Sequence, residues 1–265
     1  MRRNCVKRKL KEGKTSVGTW IGIGHPDIPD ILANLGFDWF VFDTEHGPHS
    51  IETVQHLIQA IGWSPTLPLV RVAWNDMVLI KRALDIGAYG VIIPWVNTKK
   101  EAENAVKYCH YPQSGGLRGC GPRKSSNYGF DREYFEVVDE ELLIGIQIET
   151  ETALNNLEGI FSVEGIDVAY VGPADLSMSL GIFGQFNHPK FTRALEMVID
   201  EAKAAGIAPG IHCSVENINQ YIEKGFRFNS LSSDDDLLIR GAVSGIEGIK
   251  GWKPLDSAPA AYLFK

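Results

Sequence analysis

Eight times along the chain, a short run rich in β-branched and aromatic residues gives way to a longer stretch with apolar residues at helical spacing. That alternation is the pattern of repeated βα units, in which each helix carries the chain back so that the next strand runs parallel to the last. The strand runs are residues 16–21, 38–42, 68–72, 90–94, 142–148, 167–171, 208–211 and 227–231. Ser50 and Asp76 stand where they can cap the following helices, and Gly36, Gly87 and Gly225 stand where helices end. Later helices are expected over 98–108, 153–160, 189–205, 215–224 and 234–249, and an early one over 29–35. Eight strands and eight helices in 265 residues suit a closed (β/α)8 TIM barrel, which takes about 250 residues, better than an open doubly wound sheet. The expected α/β domain is a single catalytic barrel over residues 1–250. Residues 251–265, with Pro254 and Pro259, read as a C-terminal tail without a core of its own.

One segment breaks the rhythm. Residues 111–136 are rich in glycine, arginine, serine and aromatics, and loops that long inside compact domains are usually functional. The stretch from Gly115 to Gly121 therefore reads as an active-site lid or an interface loop. At the other end, residues 1–14 carry many basic side chains but no apolar run of secretory type, and they suit a short amphipathic helix with Val6 and Leu10 on one face.

Composition removes several classes of function. A net charge of −7 offers no positive field to a phosphate backbone, so nucleic acid is not an expected partner. No window of about 20 apolar residues exists, so no membrane span is expected. Cys5, Cys109, Cys120 and Cys213 are scattered without C-x-x-C spacing, which fits reduced thiols in a cytoplasmic protein. A hydrophobic share of 44% supplies a sizeable core without disulfides or structural metal.

Chemistry in such barrels sits at the C-terminal ends of the strands. Polar residues collect at those ends: Asp43-Thr44-Glu45-His46-Gly47 after the second strand, Arg71 after the third, Gln147 and Glu149 after the fifth, and Gly172-Pro173-Ala174-Asp175 after the sixth. Glu149 and Asp175 lie 26 residues apart, about one βα repeat, which makes them neighbours on the mouth. Two facing carboxylates repel, and a shared hard cation such as Mg2+ or Mn2+ relieves that repulsion, with positions left for water and substrate. The alternative is that each carboxylate pairs with a basic side chain or caps a helix.

His46 reads either as a satisfied polar residue or as a general base oriented by Asp43 three positions earlier. Arg71 reads either as half of a structural ion pair or as a group that polarises a carbonyl and stabilises an enolate oxygen. The Gly172–Asp175 turn can offer amides to an anion. The spacing of His46 and His49 suggests zinc, but no third ligand follows convincingly. No dinucleotide or phosphate-loop fingerprint occurs. No lysine stands at a strand's C-terminal end, which argues against Schiff-base chemistry.

Taken in order, Gly18-Thr19-Trp20, Asp43-Thr44-Glu45-His46-Gly47, Arg71-Val72-Ala73-Trp74-Asn75-Asp76, Leu117-Arg118-Gly119, Gln147-Ile148-Glu149-Thr150 and Gly172-Pro173-Ala174-Asp175-Leu176-Ser177 resemble the class II pyruvate aldolases of the HpcH/HpaI family. The likeness runs from about residue 4 to residue 249. It implies a metal-dependent lyase that cleaves and forms 4-hydroxy-2-oxo acids through a pyruvate enolate, with an aldehyde as the second partner. Glu149 and Asp175 would hold the divalent metal, Mg2+ or Mn2+ with Co2+ a third option, and the metal would chelate pyruvate. Arg71 would touch the carbonyl oxygen, and His46 with Asp43 would remove a methyl proton through a metal-held water. Gln147 and the amides of Ala174 and Asp175 would support the pyruvate end, and Trp20 would wall the pocket.

The resemblance also implies a trimer or hexamer. Asp85 matches an acidic residue brought toward the catalytic dyad at a trimer contact, and the last helix, residues 237–249, matches one exchanged between subunits. His212 stands where family members often place an aliphatic residue, and Arg123 and Tyr128 are additions near the expected entrance. Arg123 or His212 is therefore expected to help bind an acidic or hydroxylated aldehyde. Two other readings remain: a relative that decarboxylates oxaloacetate or condenses the enolate as macrophomate synthase does, and a non-catalytic barrel that binds a 2-oxo acid. A pure binder would not need the base.

Overall fold

The computed structural model describes residues 3–253, and in it eight parallel strands close into a barrel in sequence order. They are β1 (Ser16–Ile21), β2 (Trp39–Asp43), β3 (Leu67–Arg71), β4 (Gly90–Ile93), β5 (Leu143–Ile148), β6 (Val168–Val171), β7 (Ala208–Cys213) and β8 (Phe228–Ser233). The tail expected at 251–265 falls outside the described residues from 254 onward. Among the described residues, no helix is long and apolar enough to cross a membrane.

Strand alternation divides the core in two. Outward-facing side chains such as Phe40, Phe42, Val70 and Ile146 pack under the helices. Inward-facing ones such as Trp39, Val41, Leu69 and Phe228 fill the barrel interior together with Val6 and Leu10. Those last two come from the N-terminal helix Cys5–Lys11, which Asn4 caps by accepting from the Lys7 amide. Lys7 and Lys9 pair with Asp167 and Asp38, at the starts of β6 and β2, so the helix plugs the barrel at the N-terminal ends of its strands.

The interior has no spare volume where β1 crosses β2. A Cβ placed on Gly18 would lie 2.1 Å from Cδ2 of Trp39, and Trp39 is itself stacked on Phe228 with ring centroids 4.0 Å apart. Gly18→Ala is therefore expected to cost about 3 kcal/mol through overpacking. Urea unfolding would read this as a lower midpoint at unchanged slope, and an unshifted midpoint would contradict it.

Several elements differ from the sequence reading. The early helix is Asp27–Leu32, the 153–160 stretch divides into Glu151–Leu154 and Leu157–Phe161, and the 215–224 helix starts later, at Ile218–Lys224. A helix not anticipated, Pro173–Ser179, follows β6 directly. The 111–136 segment holds two 3-10 turns, Pro112–Ser114 and Lys124–Gly129, and leads into a further helix, Tyr134–Glu141, that buries Tyr134 and Val138 one turn apart.

The lid reading of that segment is also corrected. The segment connects a helix to the next strand, so it lies at the N-terminal ends of the strands, opposite the mouth. It is anchored there by Arg118, fully buried, which donates to Asp85 at 2.8 Å and lies over the Tyr111 ring at 4.6 Å.

Candidate active site

At the C-terminal end of the barrel the strand register sets the first contact. β2 and β3 pair so that Asp43 lies opposite Arg71, and the guanidinium grips the carboxylate with two bonds, Nε to Oδ1 at 2.8 Å and Nη2 to Oδ2 at 2.6 Å. Burial alone would push the Asp43 carboxyl up. The Arg71 hydrogen bonds and charge outweigh burial and hold it below its ordinary value. Arg71 also stands 3.1 Å from Glu45 and 3.4 Å from Oε1 of Gln147, with its planar head 4.4 Å from the centroid of Trp20. Four partners leave it one orientation.

Trp20 begins a second polar chain beneath the cavity. Its Nε1 donates to the Tyr170 hydroxyl at 3.0 Å, Tyr170 meets Ser230 Oγ at 3.0 Å, and Ser230 meets Nδ1 of His212 at 2.9 Å. Burial first, and then the nearby Arg71 charge, push His212 down to about 4. The imidazole is therefore neutral at physiological pH.

Glu149 stands just past the end of β5 and is buried. Its Oε1 accepts the Trp95 amide at 2.7 Å, and its Oε2 accepts from Gln147. Trp95 adopts φ +59, a left-handed conformation uncommon outside glycine, and its amide meets the carboxylate in that conformation. Gly172 completes the enclosure: a Cβ there would lie 3.0 Å from Oε2 of Glu149. Burial, together with the negative charges of Asp175 and Glu45, raises the Glu149 carboxyl to about 7.

Asp175 sits in the first turn of Pro173–Ser179, the helix that Gly172 caps. The amides of Ala174 and Asp175 are among those a helix start leaves without an intrahelical partner. Among the described residues neither Glu149 nor Asp175 is paired with a lysine or arginine, which removes the ion-pair alternative considered for them. A desolvated carboxylate pushed up by its acidic neighbours is the environment a hard divalent cation relieves. No three His, Cys, Asp or Glu side chains gather into a complete cage among the described residues, so water and substrate oxygens would have to finish the shell. His49 is turned inward, 3.3 Å from the Ile21 carbonyl, which leaves no His46–His49 zinc pair.

These groups open onto one cavity of about 590 Å³, lined by Trp20, Asp43, His46, Arg71, Gln147, the Gly172–Asp175 turn and His212, among others. Two expectations are corrected. The His46 ring is not held by Asp43, because Arg71 occupies both carboxylate oxygens; His46 is 67% exposed and its Nε2 stands 4.0 Å from Glu45. Arg123 is exposed on the N-terminal side of the barrel and does not border the cavity. Asp85, expected to reach the dyad of a neighbouring copy, ends the helix Met77–Asp85 and holds Arg118, away from its own chain's cavity.

The reading from sequence missed the opposite wall, formed by Ser232, Ser233, Asp235, Asp236 and Arg240. Three consecutive acids directly after the last strand of a barrel were the available signal.

Comparison with known proteins follows the same lines. A profile of the HpcH/HpaI aldolase/citrate lyase family matches residues 16–241. The 4-hydroxy-2-oxo-heptane-1,7-dioate aldolase of Salmonella typhimurium is 38% identical over 98% of this chain and 100% of its own. Among solved structures, an HpcH/HpaI aldolase/citrate lyase family protein from Burkholderia cenocepacia superposes with a TM-score of 0.89 at 31% identity, over 92% of this chain and 98% of that one. An HpcH/HpaI aldolase from Desulfitobacterium hafniense superposes with a TM-score of 0.87 at 30% identity, over 96% and 100% of the two chains.

Proposed function

Because this chain belongs to the HpcH/HpaI aldolase/citrate lyase family, we propose that it is a metal-dependent carbon–carbon lyase that cleaves 4-hydroxy-2-oxo acids to pyruvate and an aldehyde, and joins them in reverse. The observation that carries the reading is Asp175 and the Asp43-clamped Arg71 on one cavity, with Glu149 buried against Gln147 in its lining and near enough to Asp175 for their charges to repel. Glu149 and Asp175 would hold a divalent cation, Mg2+ or Mn2+ with Co2+ a third option, whose Lewis acidity draws electrons from the 2-oxo group and so acidifies the adjacent methyl.

The chain's own groups do the rest. Arg71, fixed by Asp43 and Trp20, aims donors at the oxygen where enolate charge develops, and it needs no reorganisation as the charge appears. Gln147, braced between Arg71 and Glu149, keeps both at a set distance. The amides of Ala174 and Asp175 receive the pyruvate carboxylate. Trp20 closes one side against water. His46, at the exposed rim, takes up the methyl proton and returns it in the cleavage direction.

Assembly as a trimer or hexamer belongs to the same reading, as does a place in the cytoplasm. Leu238 on the final helix is 62% exposed, and Asp85 faces away from its own cavity. Both features favour a neighbouring copy that covers the one, through exchange of the helix, and receives the other.

Pyruvate in deuterium oxide supplies the test. Methyl-proton exchange without any aldehyde is expected with added Mn2+ and is expected to fall at least about 100-fold after chelation, in line with several kcal/mol of Lewis-acid stabilisation. Exchange undiminished by chelation would overturn the metal assignment. Faster pyruvate release from oxaloacetate than from 4-hydroxy-2-oxo acids would place the enolate in a decarboxylase instead.

A further inference from the structure

The side of the cavity formed by β8 and the helix after it has its own construction. β1 and β8 slip register there: Gly18 lies opposite Ser230 but Trp20 lies opposite Ser233, which leaves one extra residue in β8. Ser232 takes φ +53 at this bulge, and its hydroxyl donates to Oδ2 of Asp236. The same oxygen accepts Nε of Arg240 at 2.6 Å, while Nη1 of Arg240 is taken by Glu216. Asp234, just behind, is committed to the amides of Gly22 and Ile23, both at 2.9 Å.

One group on this wall is left unfinished. Asp236 is only 4% exposed and lines the cavity, yet its Oδ1 has no hydrogen-bond partner among the described residues. A buried carboxylate oxygen without a donor is costly, and native interiors rarely leave one so. Asp235, whose Oδ1 accepts from the Ser233 hydroxyl, lies beside it on the same wall.

The charge balance there is equally specific. Asp235, Asp236 and Glu216 oppose the single guanidinium of Arg240, which already serves two of them. His212, facing across, is held neutral by burial and by Arg71. A carboxylate entering this wall would meet acceptors and net negative charge. A hydroxyl would bring the donor that Asp236 lacks.

We infer that this wall is the acceptor subsite and that it selects a neutral, hydroxylated aldehyde over one bearing a second carboxylate. The inference rests on the lyase reading above but narrows it: the Salmonella typhimurium relative carries the name of a dioate substrate, and the acidic wall of this chain opposes that charge.

Three aldehydes of equal length make the test: 3,4-dihydroxybutanal, succinic semialdehyde and butanal, each condensed with pyruvate by the Mn2+-loaded enzyme. The dihydroxy acceptor is expected to exceed succinic semialdehyde in kcat/KM by about tenfold or more, the scale of one hydrogen bond to a charged group. In Asp236→Leu the ratio of dihydroxybutanal to butanal is expected to fall about tenfold. In Asp235→Asn, a smaller change that keeps the fold testable if Asp236→Leu does not accumulate, succinic semialdehyde is expected to gain severalfold.

A wild-type preference for succinic semialdehyde that disappears in Arg240→Met would overturn the inference, since it would show a terminal carboxylate bound by that arginine. A hydroxyl preference untouched by both aspartate variants would overturn it as well. Methyl exchange of pyruvate in the wild type, which needs no acceptor, separates the two levels. Exchange present with either adverse result removes the subsite alone, whereas exchange absent removes the lyase reading and the subsite together.

Discussion

Replacing Glu149 with glutamine is expected to lower metal-dependent pyruvate exchange by about three orders of magnitude, or about 4 kcal/mol of barrier, while the protein stays folded. The substitution keeps shape and volume, and the new amide oxygen can still accept the Trp95 N–H now bound at 2.7 Å. What it removes is the negative charge, and with it one of the two carboxylates proposed to hold the cation. Stability should change by no more than about 1 kcal/mol, because two effects oppose each other. The new amide places a donor against the Gln147 donor, but a charge that burial penalises is gone.

The sign of that second effect is measurable. The native state holds the Glu149 proton more tightly than an unfolded chain does, since burial raises the carboxyl from 4.5 to about 7. This group therefore makes the metal-free protein less stable as pH rises through that interval. The wild type should lose stability between those limits relative to Glu149→Gln, and Mn2+ at pH 8 should raise its Tm. The variant should show neither response. Exchange at more than a tenth of the wild-type rate in the variant would remove Glu149 from the metal site.

Arg71→Lys is the second substitution with a large expected effect, about 100-fold in kcat, as for loss of one preorganised donor to a developing oxyanion. A lysine keeps the charge but cannot make the paired 2.8 and 2.6 Å bonds to Asp43, stand over the Trp20 ring and reach Gln147 at the same time. Arg71→Ala goes further and leaves the buried Asp43 carboxylate without a counter-charge. That is expected to cost about 3 to 5 kcal/mol of stability, the scale of an abandoned buried ion-pair partner. Thermal unfolding of the two variants distinguishes these outcomes: the lysine form retains most of the wild-type Tm, and the alanine form does not. Equal activity in Arg71→Lys and wild type would show that charge alone suffices.

The fold was legible because eight repeats leave little choice of topology, and the Glu149–Asp175 adjacency followed from one repeat of spacing. What stayed hidden depended on register and direction. Asp43 lies three residues from His46 in sequence, which suggested their pairing, but side-by-side strands place Asp43 against Arg71, and a guanidinium with two matched donors outcompetes an exposed imidazole. The helix after β6 was hidden by Gly172-Pro173-Ala174, which reads as a turn. Proline at the first helical position and an acid in the first turn were the signals for a helix start. The helix Tyr134–Glu141 was masked by the glycine- and serine-rich run before it. The Asp235–Asp236–Arg240 wall was overlooked because acids at a helix start ordinarily complement its dipole and face solvent. Only the bulge in β8 aims them inward.

β1 hydrogen-bonds to β8 as well as to β2, so the ring is sealed by the last of its eight strands. Until residues 228–233 leave the ribosome, a growing chain exposes two raw sheet borders, each a template for adhesion to another unfinished copy. The same late strand delivers Ser232 and leads into Asp236, so a product cut short before it would be both sticky and missing one side of its cavity.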